Sequence, residues 1–181
     1  MMNLPINQRT TGPREYKVPD GDDRPRLTCP ECNFIAYENP VIVAGAVVEA
    51  QGGILLCRRA IEPRRGFWTL PAGFMEKGET VAEAAAREAH EEAEAEIEIT
   101  GLLAMYSLPS ISQVQIYHRA HLSAPHFAAG PESLEVEIFD PNDLPEDIAF
   151  PTVTWAIEDW LAGCGQDGIP PAIRDNPPPI T

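Results

Sequence analysis

The sequence predicts an α/β fold, an α/β/α sandwich in which helices cover both faces of a mixed β-sheet. Strand patterns stand on both sides of one strong helical segment, and a second helical segment follows the last of them. Apolar residues make up 44% of the 181 residues, which is enough for one packed domain with a small appendage and excludes wholesale disorder.

The strands are predicted from β-branched runs and from turn signals. Residues 41–48 read VIVAGAVV, a run suited to a buried strand. The turn signal at 51–53 leads into a second strand over 54–58, so this pair should form a hairpin. Three later strands are expected, over residues 97–107, 113–123 and 134–139.

The central helix is predicted over 81–94, because Thr80 is a suitable N-cap, Glu83 a suitable capping-box partner, and no Gly or Pro follows. A final helix is predicted over 151–161. The chain should therefore comprise an N-terminal segment, a main domain and a loosely ordered, proline-rich tail, with these parts spanning residues 1–40, 41–164 and 165–181.

The chain is strongly acidic, with 13 basic and 28 acidic residues and a formal net charge of −15. Such a surface repels a nucleic-acid backbone, so we expect a small nucleotide held through divalent cations and no nucleic-acid partner. No run approaches the ~18 apolar residues of a membrane span, and the N-terminus lacks a secretory signal. Because four cysteines do not suggest a disulfide framework, we expect a cytoplasmic protein.

Three carboxylates share one face of the predicted central helix. Glu88, Glu91 and Glu92 stand at positions i, i+3 and i+4. Taken alone, such a cluster is more often a solvated surface. It is also a ligand set that hard cations such as Mg²⁺ or Mn²⁺ prefer, because the cation offsets the repulsion between the carboxylates.

The segment before this cluster decides between the two interpretations. Residues 73–95 read GFMEKGETVAEAAAREAHEEAEA. The stretch resembles the Nudix box, Gly-x5-Glu-x7-Arg-Glu-U-x-Glu-Glu-x-Gly-U, where U is aliphatic. The matching residues are Gly73, Glu79, Arg87, Glu88, Glu91 and Glu92. Glu94 departs from the pattern, which has Gly there, so we expect a changed turn at the end of the helix.

The resemblance to Nudix hydrolases implies a role for each matched position. Glu88, Glu91 and Glu92 would bind metal and supply the catalytic base, with the carbonyl of Ala72 as a further ligand. Glu79 and Arg87 would form a structural ion pair, and Gly73 would permit a sharp turn. A later strand often adds one more carboxylate in this family, for which we expect Glu135 first and Glu132 second.

The N-terminal segment resembles one knuckle of a zinc ribbon, as found before the Nudix domain in NADH pyrophosphatases and their relatives. Cys29 and Cys32 form its CPEC turn. A structural zinc site needs four ligands, and the region from Asn7 to Thr10, where another knuckle would fall, has no cysteine. We therefore expect a metal-free remnant rather than a zinc site.

The layout of the chain resembles the zinc-ribbon-containing group of ADP-ribose, NADH and FAD pyrophosphatases. This implies hydrolysis of a pyrophosphate bond to AMP and a phosphorylated product, with ADP-ribose as first choice and FAD or NADH next. The segment YSLPSISQ replaces the motif of dedicated NADH enzymes. Candidate substrate contacts are Arg64, Arg65, Phe67 and Tyr106, each equally explicable as core or surface.

Two other functions remain open at this point. A non-catalytic Nudix-like sensor would bind a nucleotide and regulate a partner, but such proteins tend to lack box carboxylates that are all present here. An RNA-decapping or diphosphoinositol enzyme would use the same box, and the acidic composition argues against decapping. The sequence leaves the preferred metal open, as well as the choice between a monomer and a homodimer.

Overall fold

The computed structural model describes residues 10–176. It divides into two compact units, one ending at Asn39 and the other beginning at Pro40. The division lies within one residue of the boundary expected after residue 40. Each unit is built around its own sheet.

The N-terminal unit is a small antiparallel sheet of three strands: β1 (Glu15–Lys17), β2 (Arg26–Thr28) and β3 (Ile35–Ala36). The CPEC turn connects β2 to β3. The Cys29 amide donates to the carbonyl of Phe34 at 2.8 Å, and Asn33 closes the turn with a φ of 57°. The expected knuckle is therefore present as a backbone shape.

The larger unit contains an eight-stranded sheet with both parallel and antiparallel pairs. Its strands are β4 (Val41–Ala50), β5 (Gly53–Arg59), β6 (Trp68–Thr69), β7 (Ala72–Phe74), β8 (Ile97–Leu108), β9 (Gln113–Leu122), β10 (Ser133–Phe139) and β11 (Ala172–Asp175). The main path runs β10-β5-β4-β9-β8-β11, with β6 beside β5 and β7 beside β4. Strands β4 and β9 are parallel, as are β8 and β11, which confirms the predicted mixed sheet.

Two helices cover the two faces of this sheet. Helix α1 (Val81–Ala93) packs through its alanines onto the face that carries Ala44 and Ala46, and α2 (Pro151–Leu161) packs onto the face that carries Val47. Alternation along β4 produces these two faces, because successive side chains point to opposite sides of a strand. The α/β/α sandwich is thus confirmed. Between residues 10 and 176, no helix is long and apolar enough to cross a membrane.

Helix α1 begins with the capping box that the sequence predicts, but its C-terminal end differs from the expectation. Thr80 and Glu83 form the predicted capping box. Glu94 adopts a left-handed conformation, φ 46° and ψ 28°. Its amide donates to the carbonyl of His90 at 2.9 Å, and the amide of Ala95 donates to the carbonyl of Ala89 at 3.2 Å. The left-handed conformation is the one that a helix-ending glycine favours. The helix therefore ends in the turn that glycine would form, although Glu94 stands in the glycine position of the box. The expectation of a different turn at the end of the helix is wrong.

The expectation of a loosely ordered tail is wrong for residues 172–175. They form β11, which pairs in parallel with the edge of β8. Arg174 of this strand forms ion pairs with Glu158 at 3.0 Å and with the buried Asp159. Sequence periodicity missed the strand because it is short and its partner lies far away in the chain. Residues 177–181 of the predicted tail, and residues 7–9 of the region without cysteine, lie outside the described residues.

Candidate active site

The loop before α1 is fixed to the helix by one arginine. Arg87 donates from Nε and Nη2 to the two carboxylate oxygens of Glu79 at 3.0 and 2.9 Å, and also to the carbonyl of Phe74 at 3.0 Å. The bidentate geometry fixes both position and orientation. The guanidinium lowers the pKa of Glu79 to about 2. The ion pair expected from the sequence is present and closes the loop.

The same guanidinium also contacts two carboxylates of the helix. Nη1 of Arg87 lies 2.7 Å from Glu88 and 2.9 Å from Glu91. Its side chain is 26% exposed, so these contacts are partly shielded from water. Arg87 therefore compensates the charge of three glutamates at once.

Gly73 makes room for a carboxylate. A Cβ atom at this position would lie 2.4 Å from each of the three carboxylate atoms of Glu88. The backbone of Gly73 is not in the left-handed region and pairs with Ala44 as part of β7. The expected reason for this glycine, a sharp turn, is wrong, since the structure requires it for space.

Glu92 is the most deeply perturbed carboxylate of the cluster. It is 7% exposed, and Oε2 accepts the amide hydrogen of Ala72 at 3.1 Å. Burial raises its pKa to about 8, and the nearby charge of Glu88 acts in the same direction. Burial also raises the pKa of Glu88, against the opposing effect of Arg87. Two buried acids thus lie side by side, with Arg87 acting on Glu88 and Arg59 on Glu92.

Glu91 differs from its two neighbours, because its side chain is 55% exposed and points to Arg87. Within residues 10–176, no three Asp, Glu, His or Cys side chains are grouped closely enough to hold a metal ion. The donors nevertheless suit Mg²⁺ or Mn²⁺, since they are carboxylate oxygens whose burial and mutual repulsion a hard cation would relieve. The contact that the structure shows for Ala72 in this cluster is through its N–H, whereas its carbonyl was the expected ligand.

The glutamates lie in a cleft of about 1120 Å³. Its charged lining residues are Glu62, Glu76, Glu88, Glu91, Glu92 and Glu132, together with the basic Arg59 and Arg87. The remaining wall is largely apolar, with amide and hydroxyl groups, and includes Val43, Leu108, Ile111, Gln113, Gln115, Tyr117, Phe150 and Thr152. An apolar wall with a few convergent polar groups is typical of a small-molecule site.

Of the two later carboxylates expected from the sequence, the second choice, Glu132, lines the cleft and Glu135 does not. Gly130 allows this, because its amide donates to the carbonyl of Glu92 at 3.1 Å and a Cβ there would lie 1.8 Å from the carbonyl oxygen of Glu91. The loop is thereby held against the end of α1, and Glu132 lines the cleft.

Glu135 lies beyond a bulge at Leu134 and pairs across the sheet with Arg58, 3.4 Å away. Its neighbour Val136 packs with Cys57 on the α1 face, so alternation directs Glu135 to the other face. Glu135 therefore lies away from the cleft that Glu132 lines, and its role as a metal ligand remains a prediction.

The substrate contacts expected from the sequence lie outside the residues that line the cleft. Arg64 covers the ring of Phe67 at 5.0 Å, and Arg65 is exposed. Tyr106 is fully buried, and its hydroxyl donates to Asp159 at 2.6 Å, so it belongs to the core under α2. We therefore place none of the four in the site.

Arg59 is the basic residue of β5 that the sequence argument missed. It shares the α1 face with Cys57, two positions earlier, and it contributes to the electrostatic environment of Glu92. Its guanidinium lies 5.3 Å from the centre of the Phe150 ring. Alternation along β5 was the signal that could have separated Arg59 from Arg58, which points to the opposite face.

The surroundings of Cys29 favour its protonated thiol over the thiolate that would bind a metal. Cys29 is buried and donates from Sγ to Glu31 at 3.0 Å, whereas Cys32 is exposed. That hydrogen bond raises the pKa of Cys29. Zinc binds the thiolate, so this contact opposes metal binding. The absence of zinc remains a prediction.

Comparison with known families settles the class of protein. The sequence model of the NUDIX domain matches residues 39–161, well over half of the chain. The chain belongs to the Nudix family. A second model, described as Nudix N-terminal, matches residues 11–38 of this Nudix protein, in agreement with the ribbon-like shape of its first unit.

Individual relatives agree with this assignment. An ADP-ribose pyrophosphatase of Methanocaldococcus jannaschii is 35% identical over 118 residues, which cover 63% of this chain and 69% of the relative. A NUDIX hydrolase from Nitrosomonas europaea is 44% identical, with a TM-score of 0.80 and coverage of 90% and 94% of the two chains. An ADP-ribose pyrophosphatase from Streptococcus suis is 19% identical with a TM-score of 0.63, covers 76% and 100%, and shares the fold.

These similarities confirm the expected family and the expected enzyme class, a Nudix pyrophosphohydrolase. The box glutamates of this Nudix protein all lie on α1 or on the loop that Arg87 fastens to it.

Proposed function

We propose that this Nudix pyrophosphohydrolase cleaves the pyrophosphate bond of ADP-ribose, and more weakly that of FAD or NADH, to AMP and a phosphorylated product. The observation that carries the proposal is the cleft of about 1120 Å³, which combines two buried glutamates with apolar and aromatic lining residues. A ligand with a charged centre and a nucleobase matches both kinds of lining. The similarity to an ADP-ribose pyrophosphatase over 118 residues supports the choice of substrate.

The reaction should depend on Mg²⁺ or Mn²⁺, held by Glu88, Glu91, Glu92 and Glu132 with the Ala72 carbonyl. When bound, the cation would neutralise charge on the phosphoryl oxygens and lower the pKa of the attacking water. The protein supports this by burying Glu88 and Glu92 beside each other, an arrangement that is costly without a cation. Glu91, now held by Arg87, is exposed enough to turn towards the cleft.

Glu92, Arg59 and Arg87 have different roles in the proposed reaction. Oε2 of Glu92 accepts the amide hydrogen of Ala72, which holds this carboxylate in place, and a carboxylate of the cluster would take the proton of the attacking water. Arg59 lines the cleft and would hold the phosphate that leaves. Arg87 keeps Glu88 in place through its contact at 2.7 Å and so acts as a positioning residue.

The test is turnover of a substrate panel by the purified full chain with Mg²⁺ or Mn²⁺. The panel contains ADP-ribose, FAD, NADH, a diadenosine polyphosphate and a nucleoside triphosphate, and chromatography detects AMP. Glu92→Gln should abolish turnover, whereas the exposed Glu96→Gln serves as the matched control. If no substrate is turned over while ADP-ribose binding survives Glu92→Gln, the enzyme proposal fails and a sensor replaces it.

A further inference from the structure

Three side chains of β9 point into the cleft from the face opposite the glutamates. Gln113, Gln115 and Tyr117 alternate along the strand, and all three line the cleft. Gln115 stands opposite Val43 of β4, whereas Glu88 lies against Gly73, the partner of Ala44. The cleft therefore runs from the carboxylates on one face of β4 to the amide side chains on the other.

Gln115 has a polar atom without a partner. Its Nε2 donates to Oε1 of Gln113 at 3.2 Å, which fixes the orientation of the side-chain amide. Its own Oε1 is buried and has no hydrogen-bond partner among the described residues. A buried unpaired oxygen costs free energy, and most such groups in native proteins are paired. Because this oxygen belongs to a residue that lines the cleft, a bound ligand is the natural donor.

The surroundings of Gln115 suit a flat, largely apolar group. Val43 is the β4 partner of Gln115, and Leu108 is the β8 partner of Gln113. Both line the cleft, as does Ile111, and none of the three carries a charge. A phosphate or a carboxylate would gain nothing beside a carbonyl oxygen in an apolar wall. A nucleobase fits, because it presents apolar faces and hydrogen-bonding edges.

We propose that Gln115 selects the nucleobase of the substrate by accepting a hydrogen bond from an exocyclic amino group, as adenine carries. This rests on the proposed function, since it assigns the base-binding end of the same cleft. Gln113 holds the Gln115 amide in the accepting orientation. Hypoxanthine carries a carbonyl where adenine has its amino group, so it would face the Gln115 oxygen with another acceptor.

The experiment compares ADP-ribose with inosine diphosphate ribose, its hypoxanthine counterpart. We expect the wild-type protein to prefer ADP-ribose in kcat/KM by about tenfold or more. Gln115→Met, which keeps the length of the side chain and removes the acceptor, should lower kcat/KM for ADP-ribose by about tenfold and leave the hypoxanthine substrate nearly unchanged. Gln166→Met, at an exposed glutamine outside the cleft lining, is the matched control.

Each outcome decides the proposal. If Gln115→Met lowers kcat/KM equally for both substrates, the effect is a general structural one. If the ratio of the two kcat/KM values is unchanged, or the wild-type protein prefers the hypoxanthine substrate, Gln115 does not accept a hydrogen bond from the base. Each of these results overturns the proposal. Calorimetric binding of both ligands to Glu92→Gln, with and without Gln115→Met, supplies a readout independent of turnover. If wild type hydrolyses neither ligand, the proposed function fails, while the binding preference still decides the role of Gln115.

Discussion

Burying Glu92 should make the metal-free protein less stable as pH rises, and Glu92→Gln should remove that effect. In the unfolded chain the pKa of this carboxyl is 4.5, whereas in the folded chain it is about 8. Below pH 4.5 both states are protonated, so burial carries no electrostatic cost. Between these values the folded state binds a proton that the unfolded state lacks, so stability falls by about 1.4 kcal/mol per pH unit. Above pH 8 the loss is constant.

At pH 9 the free energy of unfolding of Glu92→Gln should exceed that of the wild type by roughly 3–5 kcal/mol, or about 6–20 °C in Tm for a chain of this size. The glutamine keeps an oxygen that accepts the amide of Ala72, so the wild-type hydrogen bond is retained. At pH 4 the two proteins should differ by less than about 1 kcal/mol, because both carry a neutral group there.

Denaturant unfolding in EDTA, followed by tryptophan fluorescence from pH 4 to pH 9, measures this difference. Trp68, Trp155 and Trp160 all belong to the larger unit, so the signal reports the unit that contains Glu92. Glu91→Gln is the control, because that side chain is 55% exposed and should show no comparable gain. A difference between Glu92→Gln and wild type that stays constant with pH would refute the reasoning. So would a loss of stability in the variant at pH 9.

Three further perturbations follow from single contacts. Gly73→Ala should lower turnover at least tenfold, because its Cβ would lie 2.4 Å from the Glu88 carboxylate; steady-state kinetics of the folded variant checks this. Glu94→Gly should raise the free energy of unfolding by about 1 kcal/mol, since glycine adopts φ 46° without strain. Thermal unfolding measures this change, and a lower Tm in the variant would contradict it. Arg174→Met should cost about 2–4 kcal/mol in denaturant unfolding, because it leaves Asp159 buried without its cation; an unchanged midpoint contradicts this.

The regular elements could be predicted because their signals are local. The capping box at Thr80, the alanine-rich segment behind it and the β-branched run over 41–48 each act within a few residues. The Nudix box likewise lies within one loop and one helix, so its residues were found as a group. What the pattern could not supply was the burial of Glu92, since burial depends on what packs against the helix.

The residues that the prediction missed depend on pairing between distant segments. The bulge at Leu134 changes which face Glu135 occupies, and the contact of Gly130 with the end of α1 brings Glu132 into the cleft. Neither feature has a signature in the segment itself. Arg59 is different, because strict alternation from Cys57 already directed it to the α1 face.

The parallel strand β11 protects an edge of the sheet that would otherwise stay open. β8 is paired with β9 on one side and with β11 on the other, so a chain shortened after Cys164 would expose a row of unpaired amides and carbonyls. Exposed edges of this kind are templates for association between molecules. β11 becomes the edge strand in place of β8, and with only four residues it offers a shorter template for association. A truncated form should therefore keep the chain through Asp175 to remain monodisperse.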